Sequence, residues 1–206
     1  MPHSSDLRSR FQGGLHPVRR GLTLTLMMAA ATAVQAAGAP PTLCNAQEEV
    51  QFSCSTGAKT VSLCASPSSG TIDALTYRYG VPGKVEMEYA ATKANGQVFF
   101  ATVMPAAPDA QVSQVWFDKG NTRYLMTECT GGECVKPAGL AVLRGDKVLM
   151  NARCVRDPAN DLAWFNTRLV EFGNDASQVK SSTPLLRSEE TDNNISELYK
   201  TGKAPR

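Results

Sequence analysis

Six cysteines carry the most specific chemistry in this chain: Cys44, Cys54, Cys64, Cys129, Cys134 and Cys154. Thiolates that hold zinc come in paired C-x2-C spacings. The intervals here are 9, 9, 64, 4 and 19 residues, so no metal site is expected. An even set behind an export signal points instead to disulfides formed outside the cytoplasm. The two histidines, His3 and His16, lie ahead of residue 36 in what reads as a leader. Once that leader is removed no imidazole is left. Ser-His-Asp and Cys-His nucleophile systems and His-containing zinc sites are then excluded.

The remaining catalytic options are carboxylates, lysine, tyrosine and serine. Glu86 and Glu88 lie two apart on an alternating segment and share its outward face. They form an acid/base pair only across a cleft of about 5–9.5 Å; otherwise they are a solvated strand face. Ser177 and Lys180 have the spacing of a Ser/Lys nucleophile pair but stand in a polar stretch. Asp157, Asn160 and Asp161 lack the alternate ligands and glycine of a calcium loop, and a turn around Pro158 accounts for them. No cofactor is expected. Asn194-Ile195-Ser196 fits a glycosylation sequon, which matters only in a eukaryotic secretory pathway.

Exposed aromatics beside arginines suit protein recognition. Tyr77 and Tyr79 flank Arg78, and Trp116-Phe117 and Trp164-Phe165 put adjacent rings on opposite faces of a strand. Tyr77, Arg78, Tyr79, Trp116 and Arg123 are therefore the candidate binding surface. The alternative is that one ring of each pair fills the core while the other packs under a loop.

The elements that must hold these residues begin after the leader. Arg8, Arg10, Arg19 and Arg20 precede an apolar run of about 13 residues and a small-residue site at Val34 and Ala36, the pattern of a secretory signal peptide over residues 1–36. The run is too short to span a membrane, and no transmembrane segment is expected in the mature chain. Arg19-Arg20 faintly matches a twin-arginine signal, but a disulfide-bearing cargo argues for ordinary unfolded export. Four of the 21 basic residues and one of the 19 acidic residues lie in this leader. The remaining 170 residues hold 17 basic and 18 acidic side chains, a net charge of −1 rather than +2. The balance offers no footing for nucleic acid.

Residues 37–172 read as one β-domain. Val50, Phe52 and Cys54 alternate on one face, and Val61 and Leu63 on the next strand, joined by a turn at 55–58. Pairing the apolar faces sets Val50 against Leu63 and Phe52 against Val61. Cys64 then faces away from Cys54, which disfavours a Cys54–Cys64 bond. Val85, Met87 and Tyr89 alternate with Glu86 and Glu88, apolar side chains inward. Asn95-Gly96 is a two-residue hairpin signal leading into a strand over 97–104 that Pro105 stops. Strands follow over 112–117 and 122–129 around the turn at 118–121, then over 139–143 and 147–154 around 144–146. Residues 162–171 read as a helix or a strand; Leu162, Phe165 and Leu169 fit helical spacing, which favours the helix. Residues 173–206 form a polar C-terminal extension: 173–190 reads as loop or tail, followed by a short amphipathic helix from Asp192 with Ile195, Leu198 and Tyr199 on one side. The whole is mainly β, an antiparallel barrel or sandwich with disulfides and a short C-terminal helix.

One cysteine pairing follows locally. Cys129 and Cys134 bracket Gly131-Gly132, so a four-residue hairpin loop brings them within disulfide reach. The other four allow three connectivities.

Leu43-Cys44, Glu49, Phe52-Ser53-Cys54, Lys59, Val61 to Ser66, Leu75, Tyr77 to Gly80 and Glu86 to Tyr89 resemble a group of uncharacterised secreted bacterial proteins. Phe117, Gly120 and Tyr124 fit the same layout. That resemblance implies a bacterial exported protein and brings no activity. The early Phe52-x-Cys54 strand, the Val-rich strand after it, a Gly and Tyr hairpin and a late strand ending at Cys154 are also similar to the periplasmic c-type lysozyme inhibitors, which are compact antiparallel barrels. By that likeness Cys54 pairs with Cys154 and leaves Cys44 for Cys64. The extra pair Cys129 and Cys134 and the C-terminal extension depart from it, and no inhibitory residue can be matched.

The expected function is that of an exported non-enzymatic β-domain, periplasmic or secreted. It would bind a protein in the envelope or outside the cell as an inhibitor or immunity-type protein. The alternatives are a hydrolase using carboxylates or a Ser/Lys pair, and a structural envelope protein.

Overall fold

The computed structural model describes residues 41–68, 71–106, 109–132, 134, 138–155, 165, 169–176, 178–190 and 198. The expected signal peptide, the calcium-loop candidates at 157–161, Trp164, Ser177 and the sequon lie outside the described residues.

About two thirds of it is strand. Four strands form one antiparallel meander: β1 (Glu49–Ser55), β2 (Thr60–Ser68), β3 (Thr71–Val81) and β4 (Lys84–Thr92). The second sheet follows as β5 (Phe99–Ala106), β6 (Ala110–Lys119), β7 (Thr122–Gly131), β8 (Ala138–Arg144) and β9 (Lys147–Arg153). Two short strands, β10 (Val170–Phe172) and β11 (Val179–Ser181), pair with each other, and β12 (Leu186–Ser188) adds to β5 in parallel. Alternation explains the pairing: each sheet has a continuous apolar face that must be buried.

Those two faces share one core. Phe52, Val61, Leu63, Leu75, Tyr77 and Ala91 come from the first sheet, and Phe99, Val103, Val115, Phe117, Met126 and Leu140 from the second. Rings bridge the layers, with Tyr77 5.0 Å from Phe117 and Tyr89 stacked at 4.0 Å on Phe117. The barrel expected as one option is not closed among the described residues. β1 meets the chain just past β9 at the bridge between Ser55 and Val155, beside the Cys54–Cys154 bond. At the other side of the first sheet, Lys119 reaches Met87 Sδ at 3.9 Å.

All three disulfides are present: Cys129–Cys134, Cys54–Cys154 and Cys44–Cys64. The first closes the expected hairpin loop. Cys54–Cys154 ties the two sheets, and Cys44–Cys64 pins the chain ahead of β1 to the outer face of the first sheet.

Five expectations need correction. β1 and β2 pair two residues away from the expected register, Phe52 with Leu63 and Cys54 with Val61. The shift of two preserves which side each residue faces from Phe52 onward, so Cys64 still points away from Cys54. A bulge between Val50 and Phe52 breaks the alternation before that, leaving Val50 40% exposed and burying Gln51. Asn95-Gly96 does not close a hairpin, because β4 and β5 lie in different sheets. The Asn95 side chain instead accepts from the N–H groups of Thr92 and Gln97 and donates to Ala90 O, shaping a crossover between layers. The two-residue hairpin is Pro82-Gly83, with Gly83 at φ 78° as a type II turn demands.

Pro105 does not end β5, which runs to Ala106. Phe99 N–H donates to Leu185 O and Ala101 O accepts from Glu189 N–H, so odd-numbered residues of β5 turn their backbone toward β12. The missing N–H of Pro105 falls on that side, past the end of β12 at Ser188, where proline costs no ladder bond. No helix spans 162–171 in its described part: Phe165 bridges to Phe52 and Val170 begins β10. Finally, 173–190 is not a tail. Val179, Thr183, Leu185 and Leu186 are buried, and Thr183 Oγ1 donates to Ile72 O. Four buried residues spaced among polar ones were too sparse to register as a strand pattern. Of the expected C-terminal helix only Leu198 is described, and it is fully buried.

Candidate functional site

The five candidate surface residues separate by parity. Tyr77 and Tyr79 face the core side of β3, while Arg78 faces outward. That outward face is not open. Residues 41–48 cross it, held by Cys44–Cys64, by Leu43 N–H donating to Ser62 Oγ, and by Ser53 Oγ donating to Pro41 O. Arg78 is the centre of this clasp. Its Nη1 and Nη2 donate to the two Glu48 carboxylate oxygens at 2.6 and 3.0 Å, its Nε to Glu88 at 2.9 Å, and Nη1 also to Leu43 O. The Arg78 side chain is only 11% exposed, which corrects its assignment to a binding surface. Burial alone would lift the Glu48 carboxyl. Hydrogen bonds from Arg78 and the Asn45 N–H, with the guanidinium charge, outweigh it and hold Glu48 below the usual carboxylate range.

Trp116 is corrected likewise. It is 1% exposed on the outer face of the second sheet, packed with Leu125, Ala141, Leu143 and Leu198. Its neighbour Phe117 is buried on the opposite face, so both rings of this pair are interior. Arg123 lies over the Trp116 ring at 5.3 Å and pairs with Asp118 through Nε and Nη2. It belongs to that outer-face packing rather than to a site with Tyr77.

Tyr77 and Tyr79 do meet a cavity. A cleft of about 350 Å³ opens between the layers, lined by Tyr77, Tyr79, Glu86 and Met87 from the first sheet and by Tyr124, Leu140, Val142, Leu149 and Met150 from the second. Tyr77 forms its floor, and burial pushes its hydroxyl pKa up. Two bulges give the cleft its shape. At Gly80, φ 153°, β4 carries an extra residue opposite β3, and an added Cβ would stand 2.4 Å from Lys84 O. This offset leaves Val85 44% exposed, against the expectation of an inward valine, and separates Glu86 from Glu88. Glu88 meets Arg78 on the covered face, whereas Glu86 lines the cleft and takes Lys59 at 2.6 Å. The second bulge, between Val142 and Leu143, inserts Leu149 into β9.

The cleft is thus mostly apolar and aromatic, with a lysine–carboxylate pair at its mouth. Lys59 also lies 5.3 Å from the Tyr79 ring centroid, and its hydrogen bond to Glu86 raises its pKa. Glu86 and Glu88 each serve a different cation, so they do not face one another as an acid/base pair. The group Cys44, Glu48 and Cys64 lies close together, but both sulfurs are in a disulfide and offer no thiolate. Of the cleft lining, Tyr77 and Tyr79 are legible as site residues in the sequence, whereas Met87, Tyr124, Leu140, Val142, Leu149 and Met150 are not. The alternation of β7, β8 and β9 marks these last five as inward or bulged, yet nothing local says the core opens there.

No family model, no curated protein and no solved structure matches this chain. Among the described residues no helix is long and apolar enough to cross a membrane.

Proposed function

We propose that this chain is an exported, non-enzymatic β-domain that binds a protein of the bacterial envelope, as a periplasmic inhibitor or immunity-type protein. The observation that carries this reading is the open cleft between the sheets. Tyrosine and methionine are the side chains enriched where proteins bind one another, and a pocket that takes an anchor residue is the usual centre of such a contact. Two further features support it. Three disulfides suit a chain that works in an oxidising compartment. The similarity of the Phe52–Cys54 strand and the strand ending at Cys154 to the c-type lysozyme inhibitors points the same way.

The test is direct. The oxidised protein is assayed for inhibition of lysozymes and periplasmic amidases, and is used as bait in a bacterial envelope extract. Inhibition of one enzyme, with that enzyme retained on the bait, is the expected outcome. No inhibition and no retained protein would count against the reading.

A further inference from the structure

The charge around the cleft selects the chemistry of what enters it. The turns β1–β2 and β3–β4 share one edge of the first sheet, and the turns β6–β7 and β8–β9 share one edge of the second. The cleft lies between these two edges: Tyr79, Glu86 and Met87 flank the first, and Tyr124, Val142 and Leu149 the second. Each of the four turns carries a lysine, Lys59 half-buried and Lys84, Lys119 and Lys147 exposed, and Arg144 stands beside the last. Lys59 is neutralised by Glu86, and Asp118 by Arg123. Lys84, Lys119, Arg144 and Lys147 make no ion pair among the described residues, and only Asp146 opposes them. Four cations against one anion leave a surplus of three positive charges at these turns. The chain from residue 37 onward is otherwise slightly acidic, so the surplus is local.

We infer that the cleft docks an acidic protein segment that inserts one apolar side chain between Tyr79, Met87 and Met150 and sets carboxylates against the lysines of the turns. The inference rests on the binding-domain reading above and names its site and partner chemistry. Charge of opposite sign steers encounter and excludes basic surfaces, while the apolar anchor supplies the buried contact. Methionines at positions 87 and 150 let the walls adapt to the inserted side chain.

The experiment uses the full oxidised protein with defined peptides. Methyl resonances of Met87 and Met150 are followed by NMR during titration with a phenylalanine flanked on each side by two acidic residues. Control peptides have lysine flanks, or alanine in place of phenylalanine. The expected result is movement of both methyl signals and binding at least tenfold tighter for the acidic peptide than for either control. Affinity should fall at least tenfold in the triple variant Lys84→Glu, Lys119→Glu, Lys147→Glu. All three side chains are exposed, so an unchanged urea midpoint will show that the variant is folded. Equal binding of the lysine-flanked or alanine peptide, or no binding of any peptide, overturns the inference. So does binding of vesicles containing anionic phospholipid with the same lysine dependence and no need for phenylalanine. If the envelope bait experiment retains a partner equally on wild type and on the triple variant, the binding-domain reading stands and this site is wrong. If the acidic peptide binds as expected but no enzyme is inhibited or retained, the docking site stands and the inhibitor reading fails.

Discussion

Removing the disulfides one pair at a time separates their contributions cleanly, because the loops they close differ so widely. Cys54–Cys154 spans 100 residues, Cys44–Cys64 spans 20, and Cys129–Cys134 spans 5. Loop closure in the denatured chain scales with the logarithm of loop length, which gives about 4.7, 3.3 and 2.1 kcal/mol at 25 °C. Double Cys→Ala variants remove each bond without introducing a polar group. Burial sharpens the ranking: Cys54 and Cys154 are 4% and 2% exposed, so losing their sulfurs also thins the core. Urea unfolding followed by far-UV circular dichroism is the assay. Lost stability should rank Cys54/Cys154 first, Cys44/Cys64 second and Cys129/Cys134 last. The slope of free energy against urea should also rise most for the first, whose denatured state expands most. Domains of this size have only about 5–15 kcal/mol in hand, so the first variant should be the least stable by a wide margin. If Cys129/Cys134 proves as costly as Cys54/Cys154, loop closure is not what these bonds contribute.

Other perturbations test the clasp and the bulge. Arg78→Ala leaves the buried Glu48 carboxylate unpaired and should cost about 3 kcal/mol by urea titration, with faster hydrogen exchange at Leu43. Glu48 has its folded pKa depressed below the ordinary value of 4.5, so its contribution is complete above that value and is lost as pH falls through the depressed one. Wild-type stability should therefore drop on acidification below about pH 4.5, and Glu48→Gln should flatten that drop while lowering stability at pH 7. Gly80→Ala forces a Cβ against Lys84 O at a left-handed φ and should cost about 1–3 kcal/mol in thermal or urea unfolding. Val85→Thr at the exposed position beside it should change stability by less than about 0.5 kcal/mol; a large loss there would mean that the valine is packed and the bulge is misplaced.

The hairpins were the most legible part of the sequence. Asp118 to Asn121 and Arg144 to Asp146 each join two alternating runs of similar length, and β6–β7 and β8–β9 form around them. Local chemistry suffices there, because turn and strand signals agree. The misses have one common cause, namely contacts distant in sequence. Asn95-Gly96 reads as a hairpin only while its flanking strands are assumed to be partners; burial sends them to different layers. Leu185 and Leu186 look like isolated apolar residues until β5 offers them an edge. Arg78 looks like a recognition residue until Glu48, thirty positions earlier, is folded across it. Trp116 reads as a surface ring only while its strand has one covered face, whereas Leu198 and the outer-face cluster cover the other.

The same logic applies to the cleft, where two departures from strand alternation coincide. Perfect alternation on β4 would have sent Val85 inward and Glu86 outward beside Glu88, closing the core with an aliphatic side chain. The extra residue opposite Gly80 exchanges them, so a carboxylate stands where a valine would have filled space. On the facing sheet the bulge at Val142 and Leu143 moves Leu149 out of register at the same mouth. A bulge bends its strand and raises the local twist, so two of them facing one another draw the sheets apart where the rest of the interface is closed by stacked rings. Gly80 is what permits the first bulge, since no side chain fits against Lys84 O. The opening is therefore specified by the chain itself and not left over from imperfect packing. Its position beside the lysine-bearing turns is the physical reason to look for the partner there.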